Sequence, residues 1–294
     1  MINEYSKKIE TYFGSLTEVR KDLLNKAVEQ IASGYKQGTY IYDSDIKKEA
    51  YAIHYGPIYA MQSSISLCNE KSVDFFIRQP DEIFVHGCAH FPESYGLKGL
   101  FSLKKWNLGE SKINLLEREV GWKPLIQKIS MIPRRYFWEF DFIKDKPKAS
   151  KIYSDSKTPL YIYQNCLNED QNSEIIKTII DCYKEAPKGA IFLISSITPR
   201  DSDWKRLDLT FESIQSQIVS AKCSKMKKFS DSDTHYPNYT SLNFKDLTFV
   251  QKSDDHGNHK IYLSVVFKHE FTKYSKKYIK MKQSMTFRYI LVRK

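Results

Sequence analysis

The chain has 294 residues, 41% of them apolar and 28% charged, which excludes an intrinsically disordered chain and allows one large domain or two of about 100–200 residues. The net charge of +11 is uneven: residues 221–294 hold 16 Lys/Arg against 6 Asp/Glu, leaving 30 against 29 in the first 220. A basic C-terminal region on a neutral body is a footprint for phosphates, and equally the product of a lysine-rich composition.

No apolar run approaches the about 18 residues that a membrane-crossing helix requires. The N-terminus MINEYSKKIETYF mixes charges with single apolar residues, unlike a cleaved signal. Cys68, Cys88, Cys166, Cys182 and Cys223 are scattered with no C-x-x-C pair. Neither a disulfide framework nor a structural zinc site is expected, and a soluble protein of the reducing cytoplasm fits.

Ile9, Tyr12, Phe13 and Leu16 recur at helical spacing, and Leu23, Leu24, Ala27 and Ile31 extend the stripe to Gly34. After the turn-rich stretch 34–45, Asp45 is placed to cap a second helix carrying Ala50, Ala52, Ile53, Ile58, Tyr59 and Met61. Gly56-Pro57 predicts an interruption in it. Residues 1–70 read as a helical cap and residues 71–294 as the main domain.

From residue 71 short apolar runs alternate with amphipathic stretches. EIFVHG (82–87), KINLLE (112–117), YFWEFDF (136–142), PLYIYQN (159–165) and AIFLISS (190–196) read as strands. Ile175, Ile176, Ile179, Ile180 and Tyr183 form one face of a helix over 173–186, stopped by Pro187-Lys188-Gly189. Runs of this kind predict an α/β fold with a mostly parallel sheet buried on both faces. TFVQK (248–252) and KIYLSVVFKHE (260–270), joined at His256-Gly257-Asn258, read as an antiparallel hairpin, and MTFRYILVR (285–293) as a final strand. Between them FTKYSKKYIKMKQ (271–283) interleaves Tyr and Lys. Its lysines Lys273, Lys276, Lys277 and Lys280 suit a nucleic-acid backbone. Alternatively Phe271, Tyr274, Tyr278 and Met281 form the buried stripe of an amphipathic helix.

In an open α/β sheet ligands gather at the carboxyl ends of the strands. The first corner, HGCAHFPES (86–94), offers Gly87 for a tight turn, with Cys88 and Ala89 small beside it. Glu117 ends the second strand, where an acid accepts both hydroxyls of a ribose; Glu119 is the alternative if the strand runs longer. Asp141 near the end of the third is placed to accept from an adenine amine, and Asn165, Asn168 and Glu169 stand after the fourth. Each also has a structural reading: Gly87 as a plain turn, Glu117 as a surface partner of Arg118 or of a lysine, Asp141 as a strand terminator. His86, Cys88 and His90 lack a fourth zinc ligand. Ser195 lacks a G-x-S-x-G elbow, and no G-x-x-x-x-G-K-[ST] is present, which argues against a hydrolase triad and a P-loop NTPase.

This order of corners resembles the class I S-adenosylmethionine-dependent methyltransferases over about residues 75–294. The segments IFVHGCAHFPES, INLLEREVGW, FWEFDF, YIYQNCLNED and KEAPKGAIFLISS stand in the family's order. The resemblance implies a Rossmann-like sheet with an antiparallel C-terminal hairpin behind a helical cap. It implies S-adenosylmethionine held by His86, Gly87, Cys88, Ala89, Glu117, Asp141 and Asn165, with Asn165 orienting the methyl acceptor and Tyr51, His54 and Tyr55 closing over it. Two positions depart from the pattern: His86 stands where the family has Asp or Glu, and Ala89 replaces the second glycine. The expected function is methyl transfer to an unidentified acceptor, a nucleic acid among the candidates. The alternatives are a catalytically silent module that binds RNA or protein, and another Rossmann-like nucleotide-binding enzyme.

Overall fold

The structure is a computed structural model and describes residues 5, 8–9, 11–12, 14–37, 42–68, 70–141, 145, 157–166, 172–198, 248–253, 259–266 and 280–293. In chain order the elements are α1 (Glu18–Gln37), α2 (Asp45–Cys68), α3 (Glu70–Phe75), β1 (Glu82–His86), α4 (Glu93–Lys104), β2 (Lys112–Glu117), α5 (Lys123–Ile129), β3 (Tyr136–Glu139), β4 (Leu160–Gln164), α6 (Asn172–Glu185), β5 (Ile191–Thr198), β6 (Thr248–Ser253), β7 (His259–Val266) and β8 (Lys280–Arg293).

Alternation along the strands builds two different cores. Ile83 and Val85, Ile113 and Leu115, Leu160 and Ile162, and Ile191 and Leu193 project to one face. There they meet Ile53, Ile65 and Leu67 of α2, Leu97 and Leu100 of α4, and Ile126 and Ile129 of α5. The intervening residues Phe84, Tyr161, Tyr163, Phe192 and Ile194 project to the other face, under Ile175, Ile179 and Tyr183 of α6. On this second face rings stack across the strands: Phe84 on Tyr161 at 5.2 Å and Tyr161 on Phe192 at 4.5 Å. Period-two patterning thus separates aliphatic from aromatic packing, each buried side chain contributing about 1.5–3 kcal/mol.

The strand order is β3-β2-β1-β4-β5-β8-β7-β6. The pairs β1–β2, β1–β4, β2–β3 and β4–β5 are all parallel, giving a five-stranded parallel sheet. Beyond β5 the ladders β5–β8, β8–β7 and β7–β6 are antiparallel. In the 271–283 stretch, Lys280 and Met281 belong to β8, opposite Val266 and Val265, so the expected helix does not extend to Met281. Phe271, Tyr274 and Tyr278 lie outside the described residues, as do Lys273, Lys276 and Lys277.

The expected break at Gly56-Pro57 does not occur: α2 runs unbroken from Asp45 to Cys68. Proline removes the N–H that would reach the Ile53 carbonyl, and one residue earlier the Tyr5 hydroxyl donates to the Ala52 carbonyl at 2.7 Å, packing the helix at this point. Only a glycine leaves room for that ring, since a Cβ on Gly56 would sit 1.6 Å from the Tyr5 oxygen.

Helix α2 lies against α4 at backbone distance. A Cβ on Gly96 would stand 2.6 Å from the Ser63 carbonyl oxygen, and the Cys68 thiol points at the Gly96 carbonyl at 3.4 Å. Gly96→Ala must therefore push the two helices apart, with an expected loss of about 1–3 kcal/mol. Urea unfolding should show a lower midpoint with an unchanged slope; an unchanged midpoint would contradict this close packing.

Candidate functional site

Strands β1 and β4 are neighbours, yet the chain leaves β1 toward α4 on the aliphatic face and β4 toward α6 on the aromatic face. Such a divergence opens a crevice at the carboxyl ends of the strands. A cavity of about 340 Å³ occupies that position, walled by the corners after β1, β2, β3 and β4 and by Tyr42, Tyr51 and Tyr59.

The corner after β1 is a tight spiral. Gly87, Ala89 and Phe91 have φ of 60°, 42° and 61°, a region costly for residues other than glycine. The Phe91 amide donates to the Cys88 carbonyl at 2.6 Å, closing the loop on itself. Glu117, at the end of β2, fixes it from outside. One carboxylate oxygen accepts the Ala89 N–H at 2.8 Å and the other the Glu119 N–H at 3.1 Å. Glu117 is buried, and Arg118 pairs with Glu119 at 3.7 Å.

The corner after β4 is equally constrained. Asn165 has φ of 60°, a conformation asparagine tolerates better than most residues. Its N–H donates to the Ser195 carbonyl at 2.7 Å. Its side chain exchanges two hydrogen bonds of 3.1 Å with the amide of Gln62 on α2. Gln62 also donates to the Ser195 hydroxyl at 2.6 Å, and the Gln164 amide donates to the Tyr59 carbonyl at 3.0 Å. Helix α2 is thereby stitched to the mouth of the sheet.

Of the residues singled out from the sequence, Gly87, Cys88, Ala89, Glu117, Asp141 and Asn165 line this one cavity. Asp141 lies just beyond β3, where its amide donates to the Asp145 carboxylate at 2.8 Å. His86 is the exception, because strand alternation turns it to the aromatic face. It pairs in register with Tyr163 and stacks on that ring at 4.3 Å, outside the cavity wall. Tyr51 lines the cavity, while His54 and Tyr55 do not; they pack edge to face at 4.5 Å. Asn168 and Glu169 lie outside the described residues, and Lys280 is described by its backbone alone. Sequence reasoning missed Gln62, Tyr42, Tyr59, Trp122, Gln164 and Glu93, and weighed His90 only as a metal ligand. The His and Glu within HGCAHFPES, directly after β1, are the available signal for Glu93 and His90; nothing local marks Gln62.

The wall is rich in carboxyl groups, with Glu93, Glu117, Glu119 and Asp141 against Arg118. Burial holds His90 and His86 down to about 3 and His54 to about 4, so all three imidazoles are neutral at neutral pH. Burial raises Glu93 to about 8, and the charge of Glu117 adds to the rise. Cys88 is pushed well above its usual value, first by burial and then by Glu117 and Glu93. Both nitrogens of His90, one oxygen of Glu93 and the carbonyl oxygen of Gln164 are buried without a hydrogen-bond partner among the described residues. Also among the described residues, no helix is long and apolar enough to cross a membrane, and no three His, Cys, Asp or Glu side chains cluster to hold a metal ion.

No protein-family profile matches the chain, and no curated protein does. Among solved structures, the chain is similar to an O-methyltransferase family protein from Burkholderia thailandensis, with a TM-score of 0.48 and 10% identity over 72% of this chain and 69% of the other. It is similar to human N-acetylserotonin methyltransferase, solved in complex with SAM, with a TM-score of 0.44 and 15% identity over 76% of this chain and 66% of that one. A SAM-dependent methyltransferase from Archaeoglobus fulgidus aligns with a TM-score of 0.41 and 10% identity over 80% of this chain and 94% of its own.

The buried histidines make stability pH-dependent. A histidine whose folded pKa is depressed contributes stability that is fully present above its unfolded value, near 6.5, and is lost as pH falls toward the folded value. Unfolding free energy should therefore decline from about pH 6.5 toward pH 4. His86→Phe, which keeps a ring on Tyr163, should flatten that decline. An identical pH profile in the variant would show that His86 does not take up a proton on unfolding.

Proposed function

We propose that the cavity binds S-adenosylmethionine and that the protein transfers its methyl group to a small acceptor. The observation that carries this reading is the convergence on one cavity of a positive-φ glycine after β1, an acid ending β2, an acid beyond β3 and a polar residue after β4. The cofactor supplies an electrophilic methyl on a sulfonium. The polar side chains of Glu117, Asp141, Gln164 and Asn165 on the cavity wall fit a polar ligand of this kind.

In this reading each residue has a physical task. Gly87 has no side chain between the backbone and the cavity, so a ligand approaches its main chain closely. Glu117 spends one lone pair of each oxygen on the two loops and keeps others for ribose hydroxyls. Asp141 faces the adenine amine. Gln62 holds the Asn165 amide in one orientation, and Asn165 orients the acceptor. Tyr42, Tyr51, Tyr59 and Trp122 exclude water from the space where donor and acceptor meet, so that alignment supplies much of the rate. The four wall carboxyl groups oppose a polyanion, which favours a small-molecule acceptor over a nucleic acid.

Calorimetric titration with S-adenosylmethionine and its demethylated product tests the reading. Saturable binding to the unmodified protein is expected. Gly87→Val should abolish it, because valine strains a positive-φ corner and its Cβ would stand 3.2 Å from the Cys166 sulfur on the cavity wall. Glu117→Ala should weaken it by about 1.5–3 kcal/mol, the range for a hydrogen bond to a charged group. Absence of both heat and thermal shift with either ligand would overturn the proposal in favour of a silent module.

A further inference from the structure

We infer that Tyr5 is a positioning residue for the site: its ring, wedged beside His90, holds the loop after β1 in its strained spiral. The placement of the loop stands by itself; only the effect on an S-adenosyl ligand rests on the cofactor reading.

Tyr5, Ile9 and Tyr12 are spaced by four and three residues, so they share one helical face. All three are buried. Around this stripe the Lys8 ammonium donates to the Ser130 carbonyl at 2.6 Å, and the Lys128 ammonium stands over the Tyr12 ring at 4.7 Å. The segment is thus fastened to the end of α5.

Tyr5 itself lies where several parts of the fold meet. Its hydroxyl donates to the Ala52 carbonyl of α2 at 2.7 Å. Burial first, and then Tyr95, raise that phenol well above its ordinary value, so it remains a donor. Its ring lies edge to face with Tyr95 of α4 at 4.9 Å and with His90 at 6.4 Å. Tyr95 carries the contact on to α5 by donating to the Ile129 carbonyl at 2.7 Å. The fit is close. A Cβ on Gly56 would overlap the Tyr5 oxygen and also stand 3.0 Å from His90 Nε2.

His90 links Tyr5 to the cavity, since its ring also packs beside Tyr51 at 5.9 Å and Trp122 at 6.1 Å, both on the cavity wall. It stands between Ala89 and Phe91, the two residues of the loop with costly positive φ. Glu117 fixes Ala89 through its backbone N–H. No such bond fixes the His90 ring, whose nitrogens are buried without a hydrogen-bond partner among the described residues. A polar ring in that position gains by turning to water, so packing has to keep it in place, and Tyr5 supplies part of that packing. Shortening Tyr5 opens a void beside His90, the imidazole is no longer pinned, and the strained loop relaxes.

Amide hydrogen exchange and calorimetry on the full chain test the inference with Tyr5→Leu, Tyr5→Phe and a control, Phe101→Leu, at the far end of α4. Three bonded amides report on the loop: Gly87 to the Leu116 carbonyl at 2.8 Å, Ala89 to Glu117 at 2.8 Å and Phe91 to the Cys88 carbonyl at 2.6 Å. Tyr5→Leu is expected to lower their protection about tenfold or more relative to the amides of β1 and β4. It should weaken S-adenosylhomocysteine binding by about the same factor. Tyr5→Phe, which keeps the ring, should retain most of both. Phe101→Leu should lower the urea midpoint while leaving relative loop protection and affinity unchanged, which separates placement of the loop from general stability. If Tyr5→Leu does not fold, Gly56→Ala takes its place, because its Cβ displaces the same ring. Loop protection unchanged in the variant, lost equally in the control, or lost with no loss of affinity overturns the inference. If S-adenosylhomocysteine does not bind the unmodified protein, the cofactor reading fails and the exchange data alone decide the role of Tyr5.

Discussion

The site depends on the bond between the Glu117 carboxylate and the Ala89 amide. A loop with Ala89 and Phe91 at positive φ is strained by about 1–2 kcal/mol at each of these residues. A charge-assisted hydrogen bond of about 1.5–3 kcal/mol offsets much of that strain, and full burial of Phe91 offsets the rest. The same carboxylate holds the start of the turn after β2 through Glu119. One acid thus sets the spacing between the first two corners, and the spiral it stabilises carries His90 and Glu93 into the cavity wall. Loss of its charge would act on the geometry of the loop before it acted on any ligand.

The second constraint comes from α2. The paired amides of Gln62 and Asn165, the Gln164 bond to Tyr59 and the bare backbone of Gly96 against Ser63 hold this helix to both β4 and α4. The aliphatic core runs without interruption from α2 into the sheet. The helix therefore does two things: it buries the aliphatic face of the sheet, and it presents Tyr51 and Tyr59 to the crevice. A cavity walled by aromatic rings at this end and by carboxyl groups beneath suits a ligand with a flat body and a positive charge.

Much of this was legible in the sequence because strands buried on both faces announce themselves as apolar runs. EIFVH, KINLLE, LYIYQ and IFLISS end within a few residues of where they were expected, and Gly87 and Glu117 follow from the strand ends. His86 departs from the motif's order because side-chain direction follows strand alternation and not the order of residues. The alternation that sends Phe84 to the aromatic face sends His86 there too, and Tyr163 is its partner in register. Gln62 and Trp122 were not legible, since their importance comes from contacts made by folding of distant segments. Gly56-Pro57 misled because the helix there is packed by Tyr5, more than forty residues away, whose hydroxyl donates to the Ala52 carbonyl. Local rules describe local costs, and tertiary contacts overrule them.

The central claim is that one cavity, where β1 and β4 diverge, receives an S-adenosyl ligand. A crystal structure of the protein grown with S-adenosylhomocysteine measures this directly. The account predicts the ligand along the corner after β1, with its ribose at Glu117 and its base beside Asp141. A ligand seated elsewhere, or a crevice left without it at saturating concentration, would contradict the account.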